Sequence, residues 1–130
     1  MYIVRQPQNF NAVWMEAFNS GKVANLLDLY EEDALLADQG KVARGKLEIE
    51  KLLTELLAIP GSMKGGNNFC LQHDRIALLR ADWQLVAPDG LVIASGSTAE
   101  IIRQQPDGRW LYVIDHAAGA SLPSLLENAG

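Results

Sequence analysis

Glu100, Asp115 and His116 sit in stretches that are otherwise apolar and strand-like, and they are the first candidates for chemistry. Glu100 follows Thr98 and precedes Ile102 at a spacing of two, so the three share one face of a strand. On the inner face of a sheet such an acid is desolvated, which disfavours its charged form and raises its pKa toward acid/base use. On the outer face it is an ordinary surface glutamate, and a register shift of one residue exchanges the two outcomes. The turn that follows decides which residue joins it. A two-residue Asp107-Gly108 loop puts Glu100 on the face of Val113 and Asp115. A three-residue Pro106-Asp107-Gly108 loop with a bulge puts it with Tyr112, Ile114 and His116. Two facing acids would share a proton, whereas an acid and a histidine would form an ion pair. The sequence leaves both open, along with a contact on the outer face or at an interface.

The elements that must position these groups run from Asp74 to Gly119. Three β-rich runs are separated by Pro88-Asp89-Gly90 and Pro106-Asp107-Gly108. Proline presets φ, aspartate bonds its own backbone and glycine takes the positive φ that follows, so an antiparallel meander is expected. Ahead of it, Phe10, Val13, Trp14, Ala17 and Phe18 mark one face of a first helix, which Gly21 stops. Val23, Leu26, Leu27 and Tyr30 mark a short second helix, with Glu31-Glu32-Asp33 at its solvated end. Residues 34–45 read as strand, turn, strand. A third helix over about 46–58 buries Ile49, Leu52, Leu53, Leu56 and Leu57. The Gly65-Gly66-Asn67-Asn68 stretch reads as a loop leading into a strand over 69–73. The expected order is α-α-β-β-α-β-β-β-β, an α+β fold with helices on one face of a curved antiparallel sheet.

At 130 residues and 48% hydrophobic, the chain is read as one domain with a substantial core. Its net charge of −5, without a stripe of Lys or Arg, argues against nucleic acid and anionic membrane as partners. The N-terminus lacks an apolar signal-like run, and a cytoplasmic protein is the expectation. Cys70 is the single cysteine, so no internal disulfide and no CxxC pair can form. Neither a metal nor a nucleotide cofactor is expected, because no HExxH, P-loop, GxGxxG or ligand cluster at metal spacing occurs.

Two blocks of sequence carry a family resemblance. The first is Phe18-Asn19-Ser20-Gly21-Lys22, Leu26-Leu27-Asp28-Leu29-Tyr30 and Glu32-Asp33-Ala34-Leu35-Leu36-Ala37-Asp38, followed by Arg44-Gly45. The second is Asp82-Trp83, Gly96-Ser97-Thr98, and Pro106-Asp107-Gly108-Arg109-Trp110 running into Val113-Ile114-Asp115-His116. Together they resemble the NTF2-like (cystatin-like) superfamily, and within it the SnoaL-like and ketosteroid-isomerase-like proteins of the DUF4440 type. The resemblance implies a cone enclosing one deep apolar pocket and a homodimer formed through the open face of the sheet. It places Asp38 at the position of a general base, Glu100 at that of an oxyanion-holding acid, and Trp14 where those isomerases carry a phenol. Indole donates one hydrogen bond but cannot exchange a proton as a phenol does. Phe18, Tyr30, Trp83, Thr98 and Tyr112 are the further pocket residues expected beside Trp14.

Three functions fit. One is cofactor-free proton transfer of isomerase, cyclase or dehydratase type on a small carbonyl compound. The second is non-catalytic binding of a small hydrophobic molecule, and the third is a dimeric association module. Whether Asp38 and Glu100 point into one cavity separates the first from the second.

Overall fold

The computed structural model describes residues 1–38 and 40–126. Three helices, α1 (Phe10–Asn19), α2 (Val23–Leu27) and α3 (Gly45–Leu57), pack against one seven-stranded sheet. The strands are β1 (Tyr30–Asp38), β2 (Lys41–Arg44), β3 (Ser62–His73), β4 (Ile76–Val86), β5 (Val92–Ser97), β6 (Ala99–Gln104) and β7 (Trp110–His116). They lie in the order β2-β1-β7-β6-β4-β3, with β5 also paired to β4.

The core fills the concave side. Phe10 and Phe18 of α1, Leu26 of α2 and Ile49 and Leu53 of α3 meet Leu79, Ile102 and Trp110 of the sheet, all nearly inaccessible to solvent. Burying each such side chain contributes about 1.5–3 kcal/mol, so the helix stripes seen in sequence are the faces that hold the cone together.

Both Pro-Asp-Gly turns form. Gly90 and Gly108 each take a φ of 92°, and the amides of Ala87 and Gln105 bond the carbonyls of Leu91 and Arg109 across three-residue loops.

Four features depart from the sequence-based expectation. The sheet is mixed, because β1 and β7 run parallel. Tyr30 and Glu31-Glu32-Asp33 do not finish a helix but begin β1, where Tyr30 pairs with Tyr112. The Gly-Gly-Asn-Asn stretch is the middle of β3, not a loop. Gly65 has a φ of +146° and a Cβ there would lie 2.0 Å from the Asp82 carbonyl oxygen, while the register slips beside Asn68. Close approach and a bulge call for the same small and polar residues that a loop does. Finally, the long second strand of the meander bends at Thr98. The hydroxyl Oγ1 of Thr98 accepts the Ala81 amide at 2.8 Å, substituting for a backbone carbonyl there and dividing the run into β5 and β6.

Candidate functional site

A cavity of about 220 Å³ opens between α1, α3 and the concave face of the sheet. Its walls are apolar, formed by Met15, Leu52, Leu56, Met63, Leu85 and Ile93 among others. At one end the lining changes to Asn11, Asp38, Thr98, Glu100, Tyr112 and Asp115.

How the last three meet follows from one bulge in β7. The three-residue loop sets Gln104 opposite Trp110 and Ile102 opposite Tyr112, which directs Tyr112 inward beside Glu100. Between Ile101 and Ile102 the register then shifts. Val113 is the extra residue, and Glu100 becomes the direct partner of Asp115. The loop is thus the longer of the two considered, yet the far end of the strand takes the face the shorter loop would have given. Tyr112 and Asp115 both face Glu100. His116 pairs with Ala99 and stands outside the cavity lining, its Nδ1 accepting the Ala118 amide at 3.3 Å.

Glu100 and Asp115 are only 2% and 4% exposed. Around Glu100 converge several donors. Asn11 donates to Oε1 at 3.0 Å and the Tyr112 hydroxyl reaches Oε2 at 2.5 Å. Thr98 and the Asp115 carboxyl also hydrogen-bond to it. Asn11 is itself held by its second amide proton, given to Asn67 Oδ1 at 2.7 Å. Behind Asp115, the Tyr30 hydroxyl donates to Oδ2 at 2.8 Å and accepts the Trp14 indole proton at 3.2 Å.

The electrostatics follow from burial. Desolvation pushes the Asp115 carboxyl well above the ordinary carboxylate range, and the negative charges of Glu100 and Asp38 push it further. Glu100 is also raised by desolvation, but the hydrogen bonds from Tyr112, Asn11, Thr98 and Asp115 all act the other way. Both carboxyls are therefore raised, and the hydrogen bond between them, which lowers Glu100 and raises Asp115, favours a proton on Asp115. The same burial raises both Tyr30 and Tyr112 well above the ordinary phenol value, so their hydroxyls stay neutral donors.

Asp38, Trp14, Trp83, Thr98 and Tyr112 line the cavity together with Glu100 and Asp115. Trp83 lies across Gly96, where a Cβ would come within 2.9 Å of the ring, and its indole donates to the Ala117 carbonyl at 2.7 Å. Phe18 and Tyr30 are not in the lining. Phe18 stacks behind Trp14 with ring centroids 5.5 Å apart, and Tyr30 is screened from the cavity as it supports Asp115. Asn11 is the residue that sequence reasoning missed. It stands four and seven positions before Met15 and Phe18, a lone amide within a buried helical stripe, and that was the available signal. Among the described residues no group of His, Cys, Asp and Glu is arranged to hold a metal ion.

No family model matches the chain, and no curated protein matches it. Solved structures do. A Shewanella oneidensis NTF2-like protein of unknown function is 19% identical, with 85% of this chain and 93% of that one covered at a TM-score of 0.71. The fold is that of the NTF2-like superfamily. A ketosteroid isomerase-like protein from Erwinia carotovora atroseptica is also 19% identical, covering 85% and 90% of the two chains at a TM-score of 0.69. A Xanthomonas campestris protein named for the association domain of calcium/calmodulin-dependent protein kinase II is 21% identical, covering 90% and 86% at 0.69. At these identities the NTF2-like likeness concerns the fold, which hosts many activities.

Proposed function

We propose that the protein is a cofactor-free acid/base enzyme acting on a small, mostly apolar compound, with chemistry of the isomerase, cyclase or dehydratase type beside a carbonyl. The observation that carries this reading is the convergence of three carboxyl groups, Asp38, Glu100 and Asp115, on one end of an apolar cavity, two of them buried against each other and raised by desolvation. Carboxyl groups whose environments set their protonation apart are the ordinary equipment for taking a proton and returning one. Asp38 would accept the proton from carbon beside the carbonyl, and the proton held by the Glu100–Asp115 pair would pass to the carbonyl oxygen. Return of both protons, one to a different carbon, completes an isomerisation without a net change of protons. The resemblance to ketosteroid isomerases supports Asp38 as the base. It fits Glu100 less well than Asp115 as the oxyanion-holding acid, because Asp115 is the one raised well above the ordinary carboxylate range. The cavity is small for a polycyclic substrate, being below the roughly 300–1,000 Å³ usual for pockets that take drug-sized ligands.

Exchange of carbon-bound hydrogen with deuterium oxide in a panel of single-ring ketones tests this directly. Faster exchange with wild type than with Asp38→Asn or Glu100→Gln is expected. Equal rates in all three proteins, at the rate without protein, would leave only ligand binding.

A second reading concerns the outer face. Leu71, Leu78, Ile101, Ile114 and Leu35 are consecutive cross-strand partners over β3, β4, β6, β7 and β1. Leu71 and Leu78 are exposed, at 66% and 43%. An apolar row of this kind favours self-association through the sheet, which we propose as a homodimer.

A further inference from the structure

The direction of each hydrogen bond around Asn11 is fixed from outside the cavity. Gln8 lies in a 3-10 turn over Pro7–Asn9, just ahead of α1, and its main-chain carbonyl can only accept. The Asn67 side chain donates its amide nitrogen to that carbonyl, which leaves Asn67 Oδ1 turned toward Asn11. Oδ1 in turn can only accept, and it takes a proton from Asn11 Nδ2 at 2.7 Å. The other proton of Nδ2 goes to Glu100 Oε1 at 3.0 Å, and Asn11 Oδ1 faces the Tyr112 hydroxyl at 3.2 Å. Reversing the Asn11 amide would set its oxygen against the oxygens of Asn67 and Glu100, at the cost of both bonds.

Asn67 reaches this place because β3 is irregular there. The register against β4 slips between Asn67 and Phe69, and the two asparagines at the slip serve different partners. Asn67 bonds Asn11 and Gln8, whereas Asn68 donates to Asp82 Oδ2 at 3.0 Å on the outer side of the sheet. Asn11 is only 3% exposed, but Asn67 is exposed. The orientation of a buried amide is thus set by a side chain at the surface.

We propose that Asn67 is a positioning residue for the Glu100–Asp115 pair, locking the Asn11 amide with its nitrogen toward Glu100 and its oxygen toward Tyr112. In that orientation Asn11 donates to Glu100 and favours its carboxylate; reversed, its oxygen would favour a protonated Glu100. Tyr112 has one hydroxyl proton and two acceptors in reach, Glu100 Oε2 and Asn11 Oδ1. The hydroxyl serves the carboxylate while Glu100 is charged. A protonated Glu100 donates back to Tyr112, whose own proton then turns to Asn11. With Asn11 held this way, Glu100 can gain and lose a proton without stranding a buried polar group. This role rests on the proposed acid/base use of the pair and names the residue that sets it.

Carboxyl carbon-13 titration of Glu100 in Asn67→Ala tests this, with Asn68→Ala as the control for damage to the bulge. Both residues are exposed, so both variants should fold. The titratable groups facing Glu100 are Tyr112 and Asp115 of β7, with Tyr30 and Asp38 of β1 beside Asp115. From α1 and β4 it meets only the neutral Asn11 and its strand partner Leu79, and neither substitution alters any of these. Glu100 is expected to titrate about one pH unit higher in Asn67→Ala, the worth of a hydrogen bond to a charged group, and to keep its wild-type midpoint in Asn68→Ala. A midpoint unchanged by Asn67→Ala would overturn the inference. Equal shifts in the two variants would overturn it also, leaving the bulge as a scaffold only. The titration needs no substrate, which separates it from the proposed chemistry. A shift confined to Asn67→Ala, in a protein that exchanges no ketone hydrogens, would support the positioning role while removing that chemistry.

Discussion

Where β6 and β7 pair at Glu100–Asp115 and Ile101–Ile114, the two faces of the sheet present opposite chemistry, and the usual arrangement is reversed. Toward the helices they set Glu100 and Asp115, nearly inaccessible to water. Away from the helices the same strands set Ile101 and Ile114, partners in register, with Ile114 exposed at 37%. A sheet shaped only by stability would bury the isoleucines and solvate the acids. Buried acids impose a desolvation cost that their hydrogen bonds only partly offset, and an exposed apolar row risks unwanted association. Carrying both fits the two roles proposed above: chemistry on the concave face and contact with another chain on the convex one. Polar pairs do occur outside, but at the margins. Arg103 forks onto Glu31 at 2.8 and 2.9 Å, and Arg80 meets Asp82 at 3.2 Å.

Changing neighbouring residues on β6 gives the largest expected contrast between the faces. Ile102 is fully buried, and Ile102→Asp would place an unpaired carboxyl in the core, costing about 4 kcal/mol or more. Ile101→Glu, one residue away and facing outward, should cost less than about 1 kcal/mol. Urea denaturation of the two variants measures both. Similar losses would mean that the strand is not oriented as described.

The pH dependence should separate the faces by sign. A carboxyl whose folded pKa is raised binds more protons folded than unfolded, so stability falls as pH rises from the unfolded value of about 4 toward the raised one. Asp115 and Glu100 act in this direction. Asp115→Asn keeps both hydrogen bonds, accepting from Tyr30 and donating to Glu100, but removes the titration. Wild type should therefore lose stability relative to this variant above about pH 4, by up to about 1.4 kcal/mol for each unit of pKa difference. Glu31, lowered mainly by its hydrogen bond from Arg103, acts oppositely: its contribution is present above its unfolded pKa and is lost as pH falls through the folded one. Denaturation of wild type, Asp115→Asn and Glu31→Gln from pH 3 to 8 tests both slopes, with Glu31 the smaller because it remains partly solvated.

The smallest effect on stability is expected at the convex row. Leu78→Lys with Ile114→Lys should change monomer stability by only about 0.5 kcal/mol each, yet abolish the proposed dimer. Light scattering after size exclusion reads this. A wild-type monomer at high concentration would remove the association role from the comparison.

Much of this was legible before any coordinates. The helical stripes, the two Pro-Asp-Gly turns and the α-α-β-β-α-β order follow from periodicity and turn chemistry, which are local. What escaped was set by contacts distant in sequence. Gly65 and Asn68 look like a loop until β4 lies against them. Tyr30 falls in step with a helical stripe, but pairing with β7 draws it into β1. The inward turn of both Tyr112 and Asp115 depends on a bulge at Val113, a residue whose type announces nothing. Glu100 was identified from its apolar neighbours, whereas Asn11, which holds it, lay hidden among the residues of a core helix.

Carboxyl carbon-13 NMR titration of Glu100 and Asp115, assigned with Glu100→Gln and Asp115→Asn, tests the central claim most directly. The shared-proton arrangement predicts that Asp115 stays protonated well above the ordinary carboxylate range and that its titration moves when Glu100 loses its charge. Two independent titrations near about 4, indifferent to each other's mutation, would contradict it.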